Sequence, residues 1–164
     1  MMEQVIKDFA KQFTWKPTIE IITFPDDHRG TRNNILGFKK FVVLGMGGSN
    51  LNADLLKICN PFLDIIAHKD YGLPALADAE LTTRLIICSS YSGNTEETID
   101  GFLQAVKKGL SVVVVATGGK LLALAQKSHV PYIKIPDTGI QPRMALGFST
   151  MALLTLINDA KTVR

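Results

Sequence analysis

The stretch Ser89-Ser90-Tyr91-Ser92-Gly93-Asn94-Thr95-Glu96-Glu97-Thr98 carries hydroxyls at 89, 90, 92 and 95, four within seven residues. Short hydroxyl donors on a turn that opens a helix can surround a tetrahedral anion from several directions. The helix start adds free backbone N–H groups and the positive end of its dipole. Gly93 and Asn94 are expected to supply positive-φ turns. Thr95, with Glu97 and Thr98 nearby, also reads as an ordinary helix cap. One cap needs fewer hydroxyls than the stretch contains, so an anion cradle is the fuller reading and capping the plainer one.

A second stretch, Leu44-Gly45-Met46-Gly47-Gly48-Ser49, joins an apolar run to a helical one. Glycines let a backbone bend and approach a ligand with no Cβ in the way. Ser49 can cap the helix or donate its hydroxyl. A tight turn capped by serine remains the alternative. No Gly-Lys-Ser/Thr follows, so this is not a P-loop. As a dinucleotide fingerprint it puts Asn50 where a last glycine belongs, and the acidic Asp64 lies inside the next strand rather than at its end.

A third stretch, Gly139-Ile140-Gln141-Pro142-Arg143, enters the last helix. Pro142 pre-sets the first turn. A cation at a helix start opposes the dipole, which aims Arg143 at a ligand or leaves it solvated. Beside a ligand it holds a phosphate or a developing oxyanion.

These stretches need a scaffold that brings them together. Of the apolar runs rich in Val and Ile at 41–44, 63–67, 85–88, 111–116 and 132–135, most lack polar alternation, the mark of strands covered on both faces. Helical spacing fills 50–58, 96–107, 121–128 and 143–158, and Gly109 stops the second of these. Alternating strand and helix predicts an α/β fold, a three-layer sandwich around a five-stranded parallel sheet of order 2-1-3-4-5, flavodoxin-like. In that order strands 1 and 3 are neighbours whose connections leave in opposite directions, and ligands bind at their carboxyl ends. Both donor-rich loops leave those ends. Residues 1–38 read as a mostly helical segment packing on the domain that spans 39–164.

The chain has 164 residues, the length of one domain, and its hydrophobic share of 46% fills a core. A net charge of +3 without any basic run speaks against nucleic acid and suits a small anion. Cys59 and Cys88 form no CxxC or Cys/His cluster, and no metal or cofactor is called for. Met1 to Phe13 carries charge throughout and is not a signal peptide. No apolar stretch is long enough for a membrane span, so the cytoplasm is the default location.

The chain resembles the sugar isomerase (SIS) family over roughly Phe24 to Leu154. Gly45-Met46-Gly47-Gly48-Ser49 is similar to that family's first loop, Ser90 to Thr98 to its phosphate loop, and Gln141-Pro142-Arg143 before an apolar helix to a subgroup signature. The resemblance implies an aldose–ketose isomerase acting on hexose 6-phosphates. It implies that Ser49, Ser90, Ser92 and Thr95 grip the phosphate, that Gly47 and Gly48 lend backbone, and that Arg143 stabilises charge at the reacting carbons. It also implies a homodimer or a second SIS domain, because the family draws its catalytic Glu, ring-opening His and a Lys from a second half or a partner subunit.

Isomerisation moves a proton between C1 and C2 through an enediolate, and so needs a base. Within this chain Glu96 and Glu97 sit where a helix dipole lowers carboxylate basicity. His68 follows strand 2 away from the switch point, and His28 and His129 read as structural or solvated. A non-catalytic phosphosugar sensor is the alternative, although residues 1–38 hold no helix-turn-helix with a basic recognition helix. A nucleotide-binding domain is the third reading.

Overall fold

The computed structural model describes residues 2–21, 35 and 37–157. His28, Phe24 and the polar tail from Asn158 onward lie outside them. Strands β1 (Lys40–Leu44), β2 (Asp64–His68), β3 (Leu85–Ser89), β4 (Val112–Ala116) and β5 (Tyr132–Lys134) run parallel in the order β2-β1-β3-β4-β5. Every residue of β3 and β4 is buried. Such strands must be apolar on both faces, which is why their sequences do not alternate.

The helices are α1 (Met2–Asp8), α2 (Gly48–Cys59), α3 (Asp78–Leu81), α4 (Glu96–Lys107), α5 (Gly119–Lys127) and α6 (Leu146–Ile157). Because strand side chains alternate between faces, Val43, Ile87, Val113 and Val115 pack with α2 and α6. Val42, Leu44, Ile86, Cys88 and Val114 pack with α4 and α5 on the other side. Burial pushes the Cys88 thiol far up, so it is an inert core residue. Among the described residues no helix is long and apolar enough to cross a membrane.

The N-terminal segment departs from the helical expectation. After α1 and a 3-10 turn, Phe9–Thr14, the chain forms no helix from Trp15 to Ile21; Trp15 is extended and Glu20 sits in a β-bridge. Pro17 disfavours helix for itself and for Lys16, and Ile19-Glu20-Ile21 alternates as a strand does. The sheet in turn departs from the expected five parallel strands. Glu20 bridges Tyr132 in antiparallel fashion, with Glu20 N donating to Tyr132 O at 2.8 Å and Tyr132 N to Glu20 O at 3.0 Å. The sheet is therefore mixed, mostly parallel, with a sixth antiparallel piece along the β5 edge.

One further difference concerns a helix. The last helical run begins as a 3-10 turn, Pro142–Ala145, before α6. Every described residue of helix α6 is buried or half-buried, packed against α2 and the Phe9–Thr14 turn. On α2, Leu51, Leu55 and Ile58 are exposed, and Phe62 follows at 98% exposure.

At the amino ends of the strands, Arg84 clips the sheet together. Its side chain is 5% exposed and bonds Asp64 Oδ1 at 2.6 Å and Glu80 Oε1 at 2.7 Å. Burial opposes the guanidinium charge, and the two carboxylates outweigh it, so the pKa is raised. Asp64 is thus the first residue of β2 and committed to a structural pair, at the end of the sheet opposite the carboxyl ends of the strands.

Candidate functional site

Register decides which loops meet. Leu44 of β1 stands level with Cys88 of β3, so the two chains leave the sheet side by side. A Cβ on Gly45 would come within 2.7 Å of the Ser89 carbonyl oxygen, so this approach requires a glycine. The loops are then joined directly: the Tyr91 backbone N–H donates to Ser49 Oγ at 3.1 Å. The glycine-rich and serine-rich loops share one crevice at the carboxyl ends of β1 and β3.

Within the serine-rich loop the hydroxyls divide into two kinds. Ser90 is buried; its Oγ accepts from Gly93 N at 3.1 Å and pairs with Thr95 Oγ1 at 2.8 Å. Ser49 is also buried, at 8% exposure, and holds the loop through Tyr91. Ser92 is exposed, with its Oγ accepting from Asn94 N at 3.2 Å, and Thr95 is half-buried. Gly93 takes a φ of +71° as expected, whereas Asn94 does not: His129 is the sole non-glycine residue at positive φ among the described residues. The Asn94 side chain instead accepts from the Lys120 N–H.

Capping follows neither plain reading. Thr95 stands at the N-cap of α4 but its side chain makes no cap bond, because Oγ1 is turned to Ser90. Helix α2 starts from Gly47, at φ +54°, and Ser49 does not cap it. Neither helix has a side-chain cap; in α2 Ser49 N and Asn50 N already donate to Met46 O and Gly47 O, whereas the first-turn amides of α4 open at this end. Such amides and the dipole behind them attract an anion. Glu96 and Glu97 occupy the first turn of α4. The Glu97 charge, then partial burial and Glu96, raises the Tyr71 phenol above its ordinary 10, so it stays a neutral neighbour at 3.5 Å from Glu96 Oε2.

Arg143 lies on the exposed 3-10 turn that precedes α6. A Cβ on Gly48 would sit 3.2 Å from the Arg143 backbone nitrogen, so the glycine-rich loop and this turn are in close approach. Gln12 fixes the turn from behind, donating to Met144 O at 2.6 Å. Arg143 makes no ion pair among the described residues. Gly47, Gly48, Ser49, Ser90, Ser92, Thr95 and Arg143 therefore all belong to adjoining segments at one end of the sheet. His68 ends β2, its ring Nε2 3.2 Å from Tyr71 O.

Two contributors carry little sequence signal. Asn50 is fully buried and its Nδ2 donates to Gly45 O and His68 O, tying the glycine-rich loop to the end of β2. An asparagine in the first turn of a helix is common, and nothing local marks this one. The turn Thr117-Gly118-Gly119 abuts the serine-rich loop, yet its double glycine resembles any strand-to-helix turn.

No family model matches the chain. Its sequence is 43% identical over 122 residues to the bifunctional phosphoglucose/phosphomannose isomerase of Caldicellulosiruptor bescii, covering 71% of this chain and 34% of that one. It is 30% identical over 165 residues to the bifunctional phosphoglucose/phosphomannose isomerase of Aquifex aeolicus, covering 96% of this chain and 45% of that one. The chain thus spans less than half the length of these relatives. Among solved structures, tagatose-6-phosphate ketose/aldose isomerase from Escherichia coli superposes with a TM-score of 0.57 at 16% identity, over 94% of this chain and 46% of that one. That likeness speaks to the fold.

Proposed function

Since the chain belongs to the sugar isomerase (SIS) family, we propose that it is the phosphosugar-binding part of an aldose–ketose isomerase acting on hexose 6-phosphates in the cytoplasm. Residues 39–164 form the SIS domain in this reading, and residues 1–38 pack on it. The observation that carries the reading is the Tyr91–Ser49 bond, which couples the serine-rich and glycine-rich loops over adjacent strand ends.

Each group then has a task. Ser92, which is exposed, and the first amides of α4 take the phosphate oxygens at a helix start. Ser49 offers its hydroxyl proton from below, and the Ser90–Thr95 pair, in which one hydroxyl donates to the other, offers the single proton that remains. Gly47 and Gly48 keep the backbone bare. Arg143 lies beside the sugar and stabilises the enediolate oxygen as the proton moves between C1 and C2. The base and the ring-opening acid come from a second SIS domain or a partner copy, and the exposed α2 stripe is the surface such a partner covers.

The test is titration calorimetry of the 164-residue chain with fructose 6-phosphate, glucose 6-phosphate and 5-phospho-arabinonate. Binding of at least one is expected. Replacing Ser92 and Thr95 together by Ala should weaken it by about 1–3 kcal/mol, the usual loss for hydrogen bonds to a charged group. If none of the three binds, the reading fails.

A further inference from the structure

The turn between β4 and α5, Thr117-Gly118-Gly119-Lys120, is fastened to the serine-rich loop along its length. Thr117 N and Thr117 Oγ1 both donate to Tyr91 O, at 3.0 and 2.6 Å. Lys120 N donates to Asn94 Oδ1 at 3.1 Å, and Leu121 N to Gly93 O at 2.8 Å. A Cβ on Gly93 would overlap the Gly118 carbonyl oxygen, and one on Gly119 would overlap that of Ser92. Those two glycines are required by packing.

Gly118 is different. Its φ of 176° is extended backbone, and a Cβ there would meet nothing within 4 Å. Neither conformation nor internal contact calls for a glycine; what the bare backbone leaves is clearance beside the serine-rich loop. Lys120 follows in the first turn of α5, exposed, where a cation opposes the helix dipole. It makes no ion pair among the described residues. An unfavourably placed charge without a protein partner, next to unused clearance and bonded through its own backbone to the loop, is explained by an anion that completes it.

We infer that this turn is a third wall of the anion site: Lys120 supplies charge to the phosphate, and Gly118 leaves the room through which the phosphate reaches Ser92 and Thr95. The inference rests on the phosphosugar reading above and assigns its specificity for the phosphorylated sugar to two further residues. It also accounts for Asn94, whose side chain serves the α5 start and so fixes the distance between the two loops.

The experiment uses Lys120→Met, Lys120→Arg and Gly118→Ala in the 164-residue chain, titrated with glucose 6-phosphate and with inorganic phosphate at low and high salt. All three should melt with the parent, because none disturbs an internal contact. Lys120→Met should lose roughly fivefold in affinity at low salt, the scale of one screened charge pair, and less at high salt. Lys120→Arg should retain binding, and Gly118→Ala should lose affinity by a similar factor to Lys120→Met at both salt concentrations. Either Lys120→Met or Gly118→Ala binding as tightly as the parent removes that residue from the wall. If both do so while the Ser92/Thr95 double variant still loses affinity, the third wall is overturned and the two-loop site stands. Failure of the parent to bind overturns both.

Discussion

A single methyl group at position 93 tests the join between the loops. Gly93 combines a φ of +71° with a packing position in which an added Cβ would overlap Gly118 O. Strained backbone of this kind costs of order 1–3 kcal/mol for a side chain that must adopt it. Gly93→Ala is expected to lower the unfolding free energy by about that amount, or to move the loop and abolish anion binding. Denaturant titration alongside calorimetry separates the two outcomes, and a variant that matches the parent in both contradicts the packing described. At this scale the hydroxyl cluster and Gly93 were legible because residue type alone announces them. The division of labour among the hydroxyls was not: whether Ser90 or Ser92 faces outward depends on the turn that Gly93 makes, and Ser90 is the one it buries. Asn94 misled for a related reason. Its type permits positive φ, but its side chain found a partner on α5 that sequence spacing does not reveal.

Elements were legible where their pattern is regular. Helix Glu96–Lys107 is found at its expected bounds, because the acidic first turn and the basic last turn mark both ends. The strands follow from their Val and Ile content. What escaped was short or distant: α3 has only four residues, and the Glu20 bridge pairs positions 112 apart. That bridge supplies a pH prediction. Tyr132 Oη donates to Glu20 Oε2 at 2.6 Å, and this bond, more than burial, raises the phenol above 10. The neutral phenol is the form that folding favours, so its contribution is complete below pH 10 and fades as the pH climbs through the higher folded value. The chain should lose stability on the alkaline side, with the loss concentrated in the N-terminal segment. Tyr132→Phe should lower stability at neutral pH and flatten that alkaline decline. Urea midpoints from pH 7 to 11 for parent and variant decide it, and parallel curves would show that the bond does not anchor the segment.

Among the described residues, α2 presents apolar side chains that the core does not use. Leu51, Leu55 and Ile58 recur at helical spacing on α2 and are exposed, as are Phe62 after the helix and Met46 in the glycine-rich loop before it. Contiguous exposed apolar surface of this kind marks an interaction site. Ile58→Glu with Phe62→Glu should leave thermal stability within about 0.5 kcal/mol of the parent, as surface changes do. The same pair should shift the sedimenting species towards monomer. If parent and variant sediment alike, the face does not mediate self-association.

Arg84, Asp64 and Glu80 stand at the opposite end of the strands from every loop discussed above. The rivet that keeps β2, β3 and α3 aligned and the rim that meets solvent anions therefore have no residue in common. Over evolutionary time the rim can be rewritten, a serine gained or a lysine lost, with the strand ends beneath it staying put. Exposed rim residues such as Ser92 and Lys120 are therefore free to change with the ligand, whereas the packed glycines beside them are not.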